Sequence, residues 1–321
     1  MYYIGVDLGG TNIAAGLVDE KLNMIDKASV PTGAERAGEL IVADMAKLVL
    51  SLAEKNGVKI ADIKSAGIAT PGIANSEAGV VEYANNLNFR NFPLASLFRK
   101  YSGIEKVYIE NDANAAALAE ALAGAAKGTR KSVMITLGTG VGGGVIIDGK
   151  VYSGFNFAGA ELGHTVIEYN GRQCSCGRRG CWEAYSSATA LINMTREKLT
   201  ECNLKGIPTL MNEDVESRGG KVSARTAFDS MRKGDAPAAE VVDTYIKYLA
   251  CGICNMINIF QPEVLSIGGG ICNEGDYLLK PLLAILDKEQ YTRGNPKKTL
   301  VRIAALGNDA GIIGAAGLGL K

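Results

Sequence analysis

The sequence predicts an α/β protein built as two similar halves, and three observations carry that expectation. The chain opens with a strand, a glycine turn and a second apolar strand, "YYIGVDLGGTNIAAGLVDE". A similar unit recurs at "SVMITLGTGVGGGVIIDGK", where a shift of 129 positions lays Leu8 on Leu137, Gly9 on Gly138 and Asp19 on Asp148, and Gly10-Thr11 becomes the same two residue types in reverse, Thr139-Gly140. Around these units, runs of helical period alternate with short apolar strands. Such self-similarity points to a duplicated architecture, each half opening with a strand, a glycine turn and a strand.

In chain order, the first unit reads as a β-hairpin with Asp7 at the end of its first strand. No helix follows it, and the chain lacks G-x-x-x-x-G-K-[ST], so neither a Rossmann nor a P-loop pattern is present. Helical periodicity predicts helices over Ala37–Lys55, Asp112–Lys127, Trp182–Glu201, Ala224–Lys233, Ala236–Phe260 and Asp276–Lys288, with a last one after Asp309. Strands fit Ser65–Ala69, Lys106–Glu110 and Leu300–Ala304. A third glycine turn, "VLSIGGGI", closes a strand at Leu265–Ile267. The most polar stretch, "MNEDVESRGGKVS", is expected to be a surface loop.

The 321 residues suggest two domains, or one large one, at roughly 150 residues each. Hydrophobic residues make up 47%, enough for a sizeable core. With 34 basic and 34 acidic residues the net charge is zero, which argues against a protein built around nucleic-acid backbones. The start lacks the charged and apolar regions of a signal peptide, and the longest apolar stretch, "YLACGICNMINIF", is short and carries asparagines. The expectation is a soluble, cytoplasmic protein. Seven cysteines, an odd number in a reducing compartment, favour thiols or metal ligands over disulfides.

Glycine turns at strand ends expose backbone N–H groups that bind phosphate oxygens. Two such hairpins facing each other would clamp a polyphosphate, though each alone also fits an ordinary tight hairpin. In "KVYIENDANAAALAEALAGAAK", Asp112 begins a helix. It suits a helix N-cap, and it equally suits a general base that accepts the proton of an attacking hydroxyl. In "ELGHTVIEYNGRQCSCGRRGCWE", the only histidine, His164, stands with Cys174, Cys176 and Cys181. These four form the Cys3His ligand set of a closed structural zinc site, with Gly171, Gly177 and Gly180 where the chain must turn tightly. A loop of reduced cysteines without metal is the alternative. Cys251 and Cys254 lie in an apolar helical run and read as packing residues, while Cys202 and Cys272 carry no local context.

The chain resembles the ROK family (repressor, open reading frame, kinase) of bacterial sugar kinases. The resemblance rests on "GVDLGGTNIAAGLVD", "IENDANAAALAE", "LGTGVGGGVIIDG", "GAELGH", "CSCGRRGCWEAYSS", "SIGGG" and "GNDAGIIGAAGL", and it covers essentially the whole chain. It implies an actin/hexokinase-like (ribonuclease H-like) fold of two domains with a cleft between them, residues 1–118 plus 306–321 and residues 119–305. It implies that ATP phosphorylates the primary hydroxyl of an aldohexose, with glucose expected, using Mg²⁺ and a structural Zn²⁺.

The resemblance also assigns roles. Asp112 matches the catalytic base. Gly72, Asn86, Asn111, Glu161, His164 and Glu183 match sugar-binding positions, although "YANNLNF" has Asn-Asn-Leu where Pro-Asn-Leu is common. Gly9, Gly10, Thr11, Asn12, Thr139 and Gly140 match the phosphate turns, Gly268, Gly269 and Gly270 the adenosine side, and Asp7 an aspartate near Mg²⁺. His164 and the three cysteines match the zinc site. One ring nitrogen of His164 would face the metal and the other a sugar hydroxyl. Some members are repressors with an N-terminal helix-turn-helix; this sequence starts on the first hairpin, which disfavours DNA binding. A homodimer or homotetramer is implied. Rival readings are a kinase for N-acetylmannosamine, fructose or allose, a polyphosphate-dependent kinase, and a sugar sensor without turnover.

Overall fold

The computed structural model describes residues 1–320. Contacts divide the chain into two compact units. The first comprises Met1–Met134, Gly144–Ala160 and the chain from Ala304 on, and the second Ile135–Gly143 and Glu161–Ile303.

The chain begins with β1 (Tyr2–Leu8), β2 (Asn12–Asp19) and β3 (Met24–Pro31), followed by α1 (Gly38–Lys55) and β4 (Ile63–Thr70). Next come β5 (Ile73–Asn75), β6 (Val80–Ala84), β7 (Phe89–Phe92), α2 (Leu94–Ser102), β8 (Val107–Asn111) and α3 (Asp112–Leu122). The strands β1, β2, β3, β4 and β8 form one sheet in the order β3-β2-β1-β4-β8, and β5, β6 and β7 form a small antiparallel sheet. The central strands β1 and β4 are buried along nearly their whole length, as strands covered on both faces must be, whereas the edge strand β3 alternates between half-buried and exposed.

Then follow β9 (Ser132–Leu137), β10 (Val141–Ile147), β11 (Lys150–Val151), α4 (Glu183–Ser186), α5 (Ala188–Lys205), α6 (Met211–Ser217), α7 (Thr226–Arg232) and α8 (Ala236–Phe260). The chain closes with β12 (Val264–Gly268), α9 (Asp276–Glu289), β13 (Leu300–Ile303) and α10 (Ala310–Gly317). The second large sheet has the order β11-β10-β9-β12-β13, the order of the first sheet repeated. The two hairpins match in register: β1 ends at Leu8 and β2 begins at Asn12, while β9 ends at Leu137 and β10 begins at Val141. The duplication expected of an actin/hexokinase-like fold is therefore present in strand order as well as in sequence.

In the first unit, α1 buries Ile41, Val42, Met45, Val49 and Leu52 in one core with β1, β2 and β4. On α10, backbone approaches backbone. A Cβ at Gly5 would fall 1.9 Å from the Ile312 carbonyl oxygen, one at Gly67 1.8 Å from that of Ala315, and one at Gly314 1.8 Å from that of Ala115. Only glycine permits α10 to lie this close to β1, β4 and α3. In the second unit, Gly252 of α8 plays the same part, because a Cβ there would fall 2.0 Å from the Trp182 ring. The fully buried Trp182 donates its indole N–H to the Tyr248 carbonyl at 3.2 Å. Cys254 is buried on that helix and Cys251 partly so, as packing residues would be.

Several expected elements differ. The single helix over Trp182–Glu201 is two, because Ser187 is extended and its hydroxyl accepts from the Ala190 N–H to cap α5. The helix from Asp112 ends at Leu122, before Gly124. The polar stretch expected as a loop contains α6, whose polarity conceals two buried residues, Met211 and Asp214, the latter paired with Arg218 at 2.8 Å. The small sheet β5-β6-β7 and α2 carried no recognised sequence signal. Among the described residues, no helix is long and apolar enough to cross a membrane.

Candidate active site

The first glycine turn is closed by the Gly9 N–H donating to the Asn12 carbonyl at 3.0 Å, and Thr11 and Asn12 are exposed. Asp7 pairs with Ala14 in β2 and Ala69 in β4, which fixes it at the head of the sheet. Burial, and then the nearby Asp112 carboxylate, raise the Asp7 pKa to about 6. Asn86 lies over the same turn, since a Cβ on Gly10 would meet the Asn86 Cβ at 3.4 Å.

Asp112 is the first residue of α3, not its N-cap, and its Oδ1 accepts from the Ala113 N–H at 2.8 Å. The cap is Asn111, whose Oδ1 accepts from the N–H groups of Ala113 at 2.9 Å and Asn114 at 3.2 Å. Asn111 Nδ2 donates to the Gly72 carbonyl at 3.1 Å, so the predicted sugar positions Gly72 and Asn111 are tied to each other beside Asp112. The Asp112 side chain is open to solvent, yet the protein mass around it pushes its carboxyl above the ordinary aspartate range. An accessible carboxylate of raised pKa on a strand–helix junction has the properties of a general base.

The Asp7 shift predicts a pH effect. The folded state holds the Asp7 proton more tightly than the unfolded chain does, so this group's contribution to stability is full below about pH 4 and is lost as pH rises through about 6. Asp7→Asn should therefore stabilise the ligand-free protein at pH 7.5 by on the order of 2 kcal/mol, a few degrees in Tm, and the gain should shrink towards pH 4. Melting curves at both pH values check this. A gain that does not change with pH would show that burial of the charge is not what raises Asp7.

In the second unit the turn Gly138–Gly140 is closed by the Gly138 N–H donating to the Gly140 carbonyl at 3.0 Å. Gly269 packs on the same hairpin, since a Cβ there would fall 2.3 Å from the Leu137 carbonyl oxygen. This brings the predicted adenosine turn, Gly268–Gly270, against the end of β9. The Glu161–His164 turn is laid on β10 in the same way, with a Cβ at Gly163 falling 2.1 Å from the Val141 carbonyl oxygen. Glu183 joins three features. Its Oε2 accepts from the Val141 N–H at 3.0 Å, directly after the glycine turn, and its Oε1 accepts from the Ser175 hydroxyl at 3.0 Å and the Cys174 thiol at 3.6 Å. A cavity of about 640 Å³ opens here, lined by residues that include Thr139, Gly140, Arg172, Ser175, Glu183 and Arg196.

His164, Cys174, Cys176 and Cys181 converge, with their ligand atoms all within 4.8 Å of one another. His164 Nδ1 is 3.7 Å from Cys174 Sγ, and Cys176 Sγ is 3.7 Å from Cys181 Sγ. A tetrahedral zinc with bonds of about 2.3 Å separates its sulfur ligands by about 3.8 Å, so the cluster fits that ion. The nitrogen turned to the thiols is Nδ1, which leaves Nε2 as the other face of the ring. Burial pushes the Cys174 thiol up and the Cys181 thiol up to about 12, while the Arg178 backbone N–H lowers Cys176. Metal capture needs thiolates, so it would release protons.

Two of these contacts were not read from the sequence, the Asn111 cap and the Glu183–Val141 hydrogen bond. The capping role of Asn111 was legible from residue preferences, since asparagine and aspartate serve equally as caps, but their order did not say which one caps. The Glu183–Val141 contact spans 42 residues and left no local signal.

The sequence profile described as "ROK family" matches residues 3–321. The chain is 37% identical over 318 residues to the glucokinase of Thermotoga maritima, covering 98% of this chain and 96% of that one. It is 35% identical over 314 residues to the glucokinase of Halalkalibacterium halodurans, covering 98% and 93%. Among solved structures, a ROK family glucokinase from Streptomyces griseus in complex with glucose and AMPPNP aligns with a TM-score of 0.79 at 31% identity, covering 99% of both chains.

Proposed function

The chain belongs to the ROK family, and on that premise we propose that it is a hexose kinase that transfers the terminal phosphoryl group of ATP to the primary hydroxyl of glucose. The observation that carries the reading is Asp112. It is not the N-cap of α3, which is Asn111, and it is accessible, is raised in pKa, and stands in the same unit as the first glycine turn.

Asp112 takes the proton of the sugar hydroxyl as the hydroxyl oxygen attacks the γ-phosphorus of ATP, the bond from that phosphorus to the β–γ bridging oxygen breaks, and ADP leaves. Asn111, Gly72 and Asn86 position sugar hydroxyls on its side. Glu161, His164 through Nε2, and Glu183 are the further sugar-hydroxyl ligands of the reading. Backbone N–H groups of Gly9–Asn12 and of Thr139–Gly140 bind phosphate oxygens, where they stabilise the charge of the transferring group, and Gly268–Gly270 receive the adenosine. Asp7 is the carboxylate that would hold Mg²⁺, an ion that would supply positive charge to the donor's phosphates. A Zn²⁺ held by His164, Cys174, Cys176 and Cys181 would act as a structural cross-link that fixes the His164 tautomer. The reading includes a homodimer or homotetramer and a cytoplasmic location, where ATP and free hexose meet.

The test is a sugar panel in an ADP-coupled assay, with glucose, N-acetylmannosamine, fructose and allose as acceptors and ATP or polyphosphate as donor. Glucose with ATP should give the highest kcat/KM. A higher value for another sugar would move the substrate, a higher value with polyphosphate would move the donor, and no product with any pair would leave a sugar-binding protein without turnover.

A further inference from the structure

Thr32 follows the edge strand β3 and is fully buried. It is 23 residues from Gly9, but its hydroxyl donates to the Gly9 carbonyl at 2.7 Å and its backbone N–H donates to the Thr11 carbonyl at 2.9 Å. The second bond continues the β2–β3 ladder one step past its last pair, Asn12 with Pro31. Two carbonyls of the first glycine turn are thus pinned to one residue. That residue is itself held, because Arg36 Nη2 donates to the Thr32 carbonyl at 2.6 Å while pairing with Asp44 of α1 at 2.8 Å.

The described residues contain no cis peptide bond. In a planar trans peptide the C=O and the following N–H point in opposite directions. With the Gly9 carbonyl turned to Thr32, the Gly10 N–H points away from it. With the Thr11 carbonyl turned to Thr32, the Asn12 N–H does the same. These are two of the N–H groups that the phosphate-turn reading needs facing outward. We infer that Thr32 is a positioning residue for the phosphoryl donor: it orients the peptide planes of the first glycine turn so that their N–H groups face the phosphate. This rests on the reading of Gly9–Asn12 as a phosphate turn. It assigns a role to a side chain that touches no substrate.

The test compares Thr32→Val, which keeps the shape and removes the hydroxyl, with Thr32→Ser, which keeps the hydroxyl. Calorimetry with Mg²⁺ and AMPPNP, and separately with glucose, reads each variant. Loss of one buried hydrogen bond to a turn that must hold its shape should raise the AMPPNP Kd of Thr32→Val about fivefold to tenfold. Glucose Kd should stay within about twofold, and Thr32→Ser should stay near wild type for both. Arg36→Met, on a half-exposed side chain, should raise the AMPPNP Kd by about twofold to threefold and stands in if Thr32→Val does not fold. An unchanged AMPPNP Kd in the folded variant, an equal loss of both ligands, or a Thr32→Ser variant as weak as Thr32→Val would each overturn the inference. Gly10→Ala separates this from failure of the turn itself, since its Cβ meets only Asn86, with 3.4 Å as the nearest approach. If Gly10→Ala weakens AMPPNP binding and Thr32→Val does not, the positioning role falls alone. If neither does, the turn reading falls with it.

Discussion

Asp112→Asn should lower kcat about a thousandfold, the scale on which a general base contributes. The amide has the shape of the carboxylate but cannot take a proton from the sugar hydroxyl. The helix should keep its N-terminus, because the cap is Asn111 and not Asp112. Asn at the first helical position costs a few tenths of a kcal/mol at most, so Tm and bound zinc should stay as in the wild type. Steady-state kinetics, metal analysis and a melting curve on one preparation read all three. Turnover at the wild-type rate would remove Asp112 from the mechanism, and a collapsed Tm would mean that its role is in the fold. The acid limb of the wild-type kcat/KM profile should also lie above the range of an ordinary aspartate. Activity requires the ionised form, and surrounding protein raises the Asp112 pKa, so activity falls earlier as pH drops.

Cys176→Ala should strip the metal and weaken glucose binding by at least about tenfold, because three protein ligands hold a structural zinc far less tightly than four. Cys176 is exposed, so its truncation leaves no buried cavity and the effect reports the metal. The loss should reach sugar first, since His164 is itself a ligand and Glu183 is bonded to Ser175 and Cys174 within the loop. Glu183 also accepts from the Val141 N–H beside the second glycine turn. A smaller loss of nucleotide affinity, about twofold to threefold, should therefore accompany it. Atomic absorption and calorimetry with each ligand measure the three quantities. Stoichiometric zinc in the variant, or wild-type glucose affinity without zinc, would sink the link between metal loop and sugar. Equal loss of both ligands with a collapsed Tm would make the metal a support for the fold as a whole.

The sequence by itself determined the features set by short-range chemistry. The two hairpins were legible because glycine turns and strand alternation act over a few residues, and their common spacing carried the duplication into the strand orders of both sheets. The four side chains of the Cys3His cluster lie within 18 positions, His164 to Cys181, so chain geometry alone could bring them together. The long helix Ala236–Phe260 was readable from its apolar period, and the structure adds its cap, the Asp235 side chain. Only the tertiary structure decided what depends on partners far along the chain. It gave the cap of α3 to Asn111 and left Asp112 accessible, and it turned the polar stretch before Gly219 into a helix by burying Met211 and Asp214. It also brought Thr32 to Gly9 and Glu183 to Val141. The physical reason is range: local preferences act between residues a turn apart, whereas a buried hydroxyl or carboxylate finds its partner only after sheets and helices have packed, and that contact leaves no periodicity in the sequence.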